Sequence, residues 1–312
     1  MPQWDFLDFL ADEGARYPGF RLVREAEVRD LVEEGGVVRG VRAMTGDGAL
    51  EVRADLVIAA DGRSSVLRQR SGLTVDDLGA PIDVLWFRLS RRATDTEETG
   101  GRVDRGTFTV MINRGEFWQC AYVIGKDSLP ALRSQGLEAF RSRLAAVLPF
   151  EAERTDELRT WDDVKLLSVQ VNRLRDWARP GLLCIGDAAH AMSPIGGVGI
   201  NLAVQDAVAA ANVLAEPLRT RTIGLRDLRA VQARRMLPTR LVQAAQVAIQ
   251  ERLLAPIVSR ADPDGVDGDA EASALRPPLP LRILDRFPPL RRIPARMIGF
   301  GPRPEHVRSS IG

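Results

Sequence analysis

Residues 179 to 217 read RPGLLCIGDAAHAMSPIGGVGINLAVQDAVAAANVLAEP. Pro180-Gly181 is a turn signal, and Leu182, Leu183, Cys184 and Ile185 form a short apolar run that reads as a strand buried on both faces. Gly186-Asp187 ends that run and places a carboxylate at the C-terminal edge of the strand. A loop holding Pro194, Gly196, Gly197 and Gly199 leads into a helix expected from Ile200. Ile200, Ala203, Val204, Ala207, Val208, Ala211, Leu214 and Ala215 share the apolar stripe of that helix, while Asn201, Gln205, Asp206 and Asn212 take the other side and Pro217 is expected to stop it.

This arrangement suits a particular kind of ligand. Closely spaced glycines let the backbone approach a molecule with no side chain in the way. The first amides of a helix have no internal partner and favour an anion or a polarised oxygen. The carboxylate ahead of the loop only accepts hydrogen bonds, which matches the hydroxyls of a sugar or polyol. A ligand carrying both phosphate and polyol fits these requirements.

Composition narrows the field. At 312 residues the chain has room for about two domains. It is 45% hydrophobic and 27% charged with a net charge of +1, and no block of like charge points to a nucleic-acid partner. An unbroken apolar run of about 18 residues is absent, so no spanning helix is expected. The N-terminus, MPQWDFLDFL, lacks a basic signal region. Cys120 and Cys184 sit in apolar runs and read as small buried hydrophobes in a reducing cytoplasm.

Working outward, residues 3 to 17 read as a helix closed by Tyr17-Pro18-Gly19. Phe20, Leu22, Ala26, Val28 and Val32 alternate with charged residues as a strand with one wet face. Turns at Gly35-Gly36 and Gly46-Asp47-Gly48 fold it against Val37 to Ala43 and Leu50 to Ala54. Leu56 to Ala60 is a second fully apolar run, ending on Asp61-Gly62-Arg63-Ser64-Ser65-Val66-Leu67-Arg68, where Ser64 or Ser65 can cap a helix. Beyond Thr74, Asp83 to Leu89, Thr107 to Ile112 and Phe117 to Ile124 read as strands of a mixed sheet, with a polar loop from Ser90 to Arg105. A helix at Leu137 to Leu148 and a strand-like stretch from Trp161 to Val171 follow. Leu228 to Ile257 reads as one long helix kinked at Pro238, then a polar loop at 261 to 275 and a Pro/Arg-rich tail that packs across the domain surface.

Gly186-Asp187-Ala188-Ala189-His190, with Pro194 and Gly196-Gly197-Val198-Gly199-Ile200-Asn201, closely resembles the second FAD motif of single-component (class A) flavoprotein monooxygenases of the p-hydroxybenzoate hydroxylase fold. Asp61, Gly62, Ser65 and Arg68 match that family's DGxxSxxR motif. The resemblance implies FAD as cofactor, NAD(P)H as cosubstrate, and oxygen plus a small aromatic or polyketide-like molecule as reactants. It implies that Asp187 binds the ribityl chain and that Pro194 to Asn201 lies against the flavin. Asp61, Gly62, Arg63 and Arg68 would lie near pyrophosphate, the two arginines as phosphate contacts. It also implies an α/β fold in which an FAD-binding Rossmann-like domain carries an inserted mixed β-sheet substrate domain and C-terminal helices.

The expected division is 1–73 and 179–258 for the FAD-binding parts, 74–178 for the substrate domain and 259–312 for the tail. Trp86, Trp118 and Tyr122 are candidates either for pocket lining or for core. No catalytic base and no metal ligand is singled out, and His190 is expected to be a hydrogen-bonded structural imidazole. A GxGxxG unit, which the family uses for the ADP half of FAD, is not found in these residues, so the Rossmann-like domain is expected to be incomplete and this chain alone to hold little flavin. Other readings on the same scaffold are a halogenase, whose WxWxIP motif is lacking here, a reductase, or a non-catalytic paralogue.

Overall fold

The computed structural model describes residues 3–104, 106–258 and 299–308, with positions 286, 287, 289, 292 and 296 between them. The polar loop expected at 261 to 275 lies outside the described residues. The chain opens with α1 (Gln3–Ala15), then β1 (Glu27–Glu34), β2 (Val37–Thr45) and β3 (Gly48–Arg53), an antiparallel three-stranded sheet with its turns at the two expected glycine pairs. The alternation expected from Phe20 becomes strand only at Glu27, where pairing with Met44 begins; upstream, no partner strand occurs among the described residues, and Phe20 and Leu22 are about half exposed.

Next come β4 (Val57–Ala59), α2 (Val66–Ser71), β5 (Val75–Asp77), β6 (Ile82–Ser90), β7 (Gly100–Asp104), β8 (Thr107–Asn113) and β9 (Phe117–Gly125), then α3 (Leu129–Ser134), α4 (Leu137–Val147) and β10 (Lys165–Leu167). Five of these strands form one sheet in the order β10-β6-β9-β8-β7. β7 therefore lies inside the stretch expected to be loop. Of the strand-like run from Trp161 to Val171, Trp161–Asp163 is a 3-10 turn, because Asp163 Oδ2 accepts from the Thr160 N–H at 2.9 Å while Thr160 Oγ1 accepts from the Asp162 N–H.

β11 (Asn172–Leu174) pairs with β5. β12 (Ala178–Arg179) and β13 (Leu182–Cys184) join β4 in the order β12-β13-β4, with β13 parallel to β4. The chain continues through α5 (Gly199–Arg219), α6 (Leu225–Ile249), a π-helical turn at Gln250–Leu254, and α7 (Ala255–Val258). The backbone stays α-helical through Pro238, and the irregularity falls at Gln250–Leu254 instead. Pro217 does not stop α5 either. It lies in the last turn, and the helix runs on to Arg219.

Three packed clusters among the described residues follow from this layout. Leu182, Leu183 and Cys184 pack with Ala59, Leu67, Trp177, Ala209, Ala210 and Leu214, which joins the parallel strands to α5 and α6. The five-stranded sheet buries one face under α4 through Leu85, Phe87, Trp118, Cys120, Tyr122 and Phe140. Its other face, with Ile82, Val84, Ala121 and Val123, packs against Leu254, Val258 and Ile195. Burial pushes both thiols, Cys120 and Cys184, up to about 12.

The packed side of α5 is not its apolar stripe. Leu202, Asp206, Ala209, Ala210 and Leu214 are buried, whereas Ile200, Val204, Ala207 and Ala211 are exposed. The stretch Ile195–Arg219 is long and apolar enough to cross a membrane by length and composition, at a mean hydropathy of 1.4, which the absence of an unbroken apolar run did not anticipate. Its Asp206 side chain is fully enclosed and ion-paired inside the protein.

One ion pair links the end of the sheet to the chain beyond α4. Asp95 Oδ2 accepts from Arg154 Nη1 at 2.6 Å, the Trp118 indole at 2.9 Å and the Arg92 N–H at 3.0 Å. Burial raises the Asp95 carboxyl, but these donors outweigh it and hold the group at about 2, against an ordinary 3.8. A carboxyl lowered in the fold stabilises fully above its unfolded value and loses that contribution as pH falls through its folded one, here a shift worth about 2 kcal/mol. Urea unfolding at pH 4 and pH 2 should therefore show the wild type losing about 2 kcal/mol more than Asp95→Asn over that interval. Equal losses would remove the assigned role of this pair.

Candidate functional site

β13 and β4 run parallel in the register Leu182↔Val57, Leu183↔Ile58 and Cys184↔Ala59. Both strands therefore end at the same edge, and the segments that leave them, Gly186-Asp187 and Asp61-Gly62-Arg63, lie side by side. Ligands of open α/β sheets bind at this carboxyl edge. Arg63 Nη2 reaches across to Asp187 Oδ2 at 3.4 Å, with both side chains about one-third exposed. Arg63 Nη1 is buried and has no hydrogen-bond partner among the described residues.

The second segment is capped as its sequence suggests. Ser65 Oγ accepts from the Arg68 N–H at 2.9 Å, and Asp61 Oδ2 accepts from the Leu67 N–H at 3.2 Å. Arg68 departs from its expected role as a phosphate contact. Its guanidinium is buried and donates to Asn172 Oδ1, the Ala188 carbonyl and the Arg63 carbonyl. A fork engaged by three protein oxygens is a strut between the two motifs, which leaves Arg63 as the arginine facing open space.

Asp187 sits in a 3-10 turn, Gly186–Ala188. Gly186 has φ +57°, and a Cβ there would stand 3.0 Å from Ala203 Cβ, so both the turn and the approach of α5 require glycine. The loop beyond passes through Gly196 (φ +77°) and Gly197 (φ +63°). A side chain at Gly197 would meet nothing within 4 Å, and one at Gly199 would meet only Asp187 Oδ1 at 4.0 Å. The carboxylate thus stands beside the head of α5, over bare backbone that borders open space. Val198 turns inward against Met192, Leu202 and Val242, so only its backbone is available to a ligand. Ile200 is exposed, and Asn201 Nδ2 donates to the Gly299 carbonyl.

A buried layer behind this surface escaped the sequence reading. Gln246 Nε2 donates to the carbonyls of Ser193 and Ile195, both at 2.9 Å, and its Oε1 accepts from the Ser193 N–H. Gln250 Nε2 donates to Ser193 Oγ at 2.6 Å, and Gln243 Nε2 to the carbonyls of Asn172 and Ala191. Positions 243, 246 and 250 fall on one stripe of the helix and are all nearly fully buried. These amides satisfy the loop from within. The available signal was negative: a long helix whose periodic stripe is Gln232, Arg235, Thr239, Gln243, Gln246 and Gln250 buries a polar face, which happens only where other backbone needs partners.

His190 is enclosed, as expected of a structural imidazole. Its Nε2 lies 2.5 Å from Asp206 Oδ2, and its ring leans on Trp177 at 4.9 Å between centroids. Burial raises the Asp206 carboxyl, but His190 and Arg235 together hold it below the usual carboxylate range. Among the three aromatics considered, Trp86 packs on the sheet face shared with Phe108, Val110 and Ile195 of the glycine loop. Trp118 and Tyr122 belong to the opposite face under α4, which removes them as lining residues of a space between sheet and loop. No cluster of metal-ligating side chains occurs among the described residues.

The donor set and the open backbone fit a flavin dinucleotide: an acceptor carboxylate for a polyol, a helix head for polarised oxygens and a partly exposed arginine. Comparisons with known proteins agree. Residues 1–245 match the model of the FAD binding domain family. The chain is 37% identical over its whole length to 6-methylpretetramide 4-monooxygenase of Streptomyces rimosus and spans 71% of that protein. Its fold is similar to that of OxyS anhydrotetracycline hydroxylase from Streptomyces rimosus, with a TM-score of 0.70 and 19% identity over 100% of this chain and 59% of the other. It is also similar to PqsL of Pseudomonas aeruginosa, with a TM-score of 0.65 and 22% identity over 82% of this chain and 71% of the other. On the strength of the family match and the full-length similarity, this chain belongs to the FAD binding domain family of FAD-dependent monooxygenases.

Proposed function

We propose that this protein is an NAD(P)H-dependent flavin monooxygenase that hydroxylates a planar, aromatic polyketide-like molecule. The observation that carries the reading is the Asp187 carboxylate beside Gly199 at the head of α5, with open space over Gly197, at the carboxyl edge of the parallel strands. The 37% identity to a monooxygenase whose name specifies a pretetramide supports the substrate class.

FAD, when bound, supplies electron transfer from NAD(P)H and the activation of oxygen. The chain's own residues bind and orient it. Asp187 accepts hydrogen bonds from polyol hydroxyls and fixes the long axis of the cofactor. The amides heading α5, ahead of its first internal bond from Leu202 N to Val198 O, face polarised oxygens. The Arg63 guanidinium, about one-third exposed, offers an N–H to a phosphate oxygen. Trp86, Phe108 and Val110, beside Ile195, form an apolar wall that excludes water and takes the face of an aromatic substrate. A cytoplasmic setting, with its supply of NAD(P)H, goes with this reading.

The test is direct. Protein expressed from the whole gene should be yellow, bind FAD one to one and oxidise NAD(P)H in an oxygen-dependent hydroxylation of an aromatic polyketide. A colourless protein that titrates with no FAD contradicts the proposal, and flavin reduction without oxygen transfer turns it towards the reductases.

Two variants examine the parts. Asp187→Ala should raise the FAD dissociation constant by about tenfold or more, because a hydrogen bond to a charged acceptor is worth about 1.5–3 kcal/mol. Unchanged retention removes its assigned role. Gly197→Leu puts a side chain into the open space at a positive φ, and isothermal titration should show FAD affinity falling by about tenfold or more. Unaltered affinity means that the ligand does not pass over Gly197.

A further inference from the structure

The Asp187 carboxylate is short of local support. It lies in a single 3-10 turn, and its one partner among the described residues, Arg63, is 3.4 Å away. The turn is closed by the Gly186 carbonyl, which accepts from the Ala189 and His190 N–H groups, and braced by Arg68 on the Ala188 carbonyl; its remaining anchor comes from the helix behind it. Asp206 Oδ2 accepts from the Gly186 N–H at 3.0 Å and lies 2.5 Å from His190 Nε2. Gly186 precedes Asp187 by one residue and His190 follows it by three, so one oxygen grips both ends of the turn that carries Asp187. The other oxygen, Oδ1, accepts from Arg235 Nε of α6 at 2.9 Å. Arg235 continues outward: its Nη1 donates to the Arg303 carbonyl at 3.0 Å and stands 3.8 Å from Glu305 Oε1. Glu305 is itself held by both forks of Arg234, at 2.6 Å each. The side chains of Asp206, Arg235 and Glu305 are fully enclosed.

We propose that Asp206 is the positioning residue of the cofactor carboxylate, and that the C-terminal segment 299–308 supports it through Arg235. This inference rests on the flavin reading of Asp187. The geometry gives the reason. Asp206 does not face the open space above the glycine loop, so it touches no ligand. Both ends of the Asp187 turn converge on one of its oxygens, and without that oxygen the Gly186 amide and the imidazole would each be a buried donor lacking an acceptor. The turn would then relax about Gly186, whose φ of +57° has no side chain to resist it, and Asp187 would lose its aim. The tail contributes because Arg235 is the only described cation on Oδ1, and its own position depends on the carbonyl of Arg303 and the charge of Glu305.

The test uses full-length protein, with FAD as the probe and two readouts. Asp206→Asn should raise the FAD dissociation constant at least tenfold and speed amide hydrogen exchange in the peptide spanning 183–192. Glu305→Gln, a milder change that keeps the shape of the side chain, should raise both about threefold and covers the case in which Asp206→Asn does not fold. Leu214→Ala, a buried apolar truncation on the same helix, separates positioning from general stability. It should lower the melting temperature while leaving FAD affinity within twofold of wild type at a temperature where the variant is folded. Asp206→Glu, which keeps the charge, should recover part of the affinity. Exchange and affinity unchanged in Asp206→Asn, or affinity lost equally in Leu214→Ala, would overturn the proposal. If the wild type itself takes up no FAD, the flavin reading fails, and the exchange measurement alone still decides whether Asp206 fixes the turn.

Discussion

A single buried carboxylate holds together segments far apart in the chain. Asp206 of α5 is bonded to Gly186 and His190 on one oxygen and to Arg235 of α6 on the other. An ion in a protein interior is tolerated only when its lone pairs are taken and an opposite charge is near, and removing one partner of such a pair costs about 3–5 kcal/mol. The packing of α5 follows from that demand. The helix turns Leu202, Asp206, Ala209, Ala210 and Leu214 inward and leaves Ile200, Val204, Ala207 and Ala211 outside. The second helix follows too, since Arg235 is in place only if α6 crosses at the right height, and the tail at Arg303 and Glu305 closes the far end.

The same logic governs the rest of α6. Loops at the carboxyl edge of a parallel sheet carry backbone groups with no ladder to join, and buried ones must be paired. Gln243, Gln246 and Gln250 pair them from behind. The glycine loop is thereby held from its protein side while its other side stays bare. A loop secured in this way presents fixed amides without blocking the space in front of them, which is the requirement for a preorganised cofactor surface.

Much of this was legible in the sequence because it depended on local chemistry. The two apolar strands, the glycine turns at 35–36 and 46–48, the Ser65 cap and the Asp187 edge all follow from residues within a few positions of each other. What failed depended on partners far along the chain. The inward side of α5 could not be found from its own periodicity, because the stripe richest in apolar residues is the exposed one and Asp206 is buried for the sake of Arg235, 29 residues on. Arg68 looked free for phosphate because its acceptors, Asn172 and Ala188, lie 104 and 120 residues away. For Trp118 and Tyr122 the sequence leaves lining and core both open rather than misleading: the strand pleat, fixed by pairing with β6 and β8, puts them in the core. Alternation from Phe20 to Val23 carried the mark of a strand but had no strand to pair with.

The central claim is that Asp187 and the bare backbone before α5 form a flavin surface held from within by buried polar side chains. A crystal structure of the protein grown with FAD tests it most directly. The account predicts a ribityl hydroxyl within about 3 Å of an Asp187 oxygen, the flavin lying over Gly196–Gly199, and Asp206 still bonded to Gly186 and His190. Flavin bound elsewhere, with Asp187 engaged only by Arg63 and the space above Gly197 closed by protein, would contradict it.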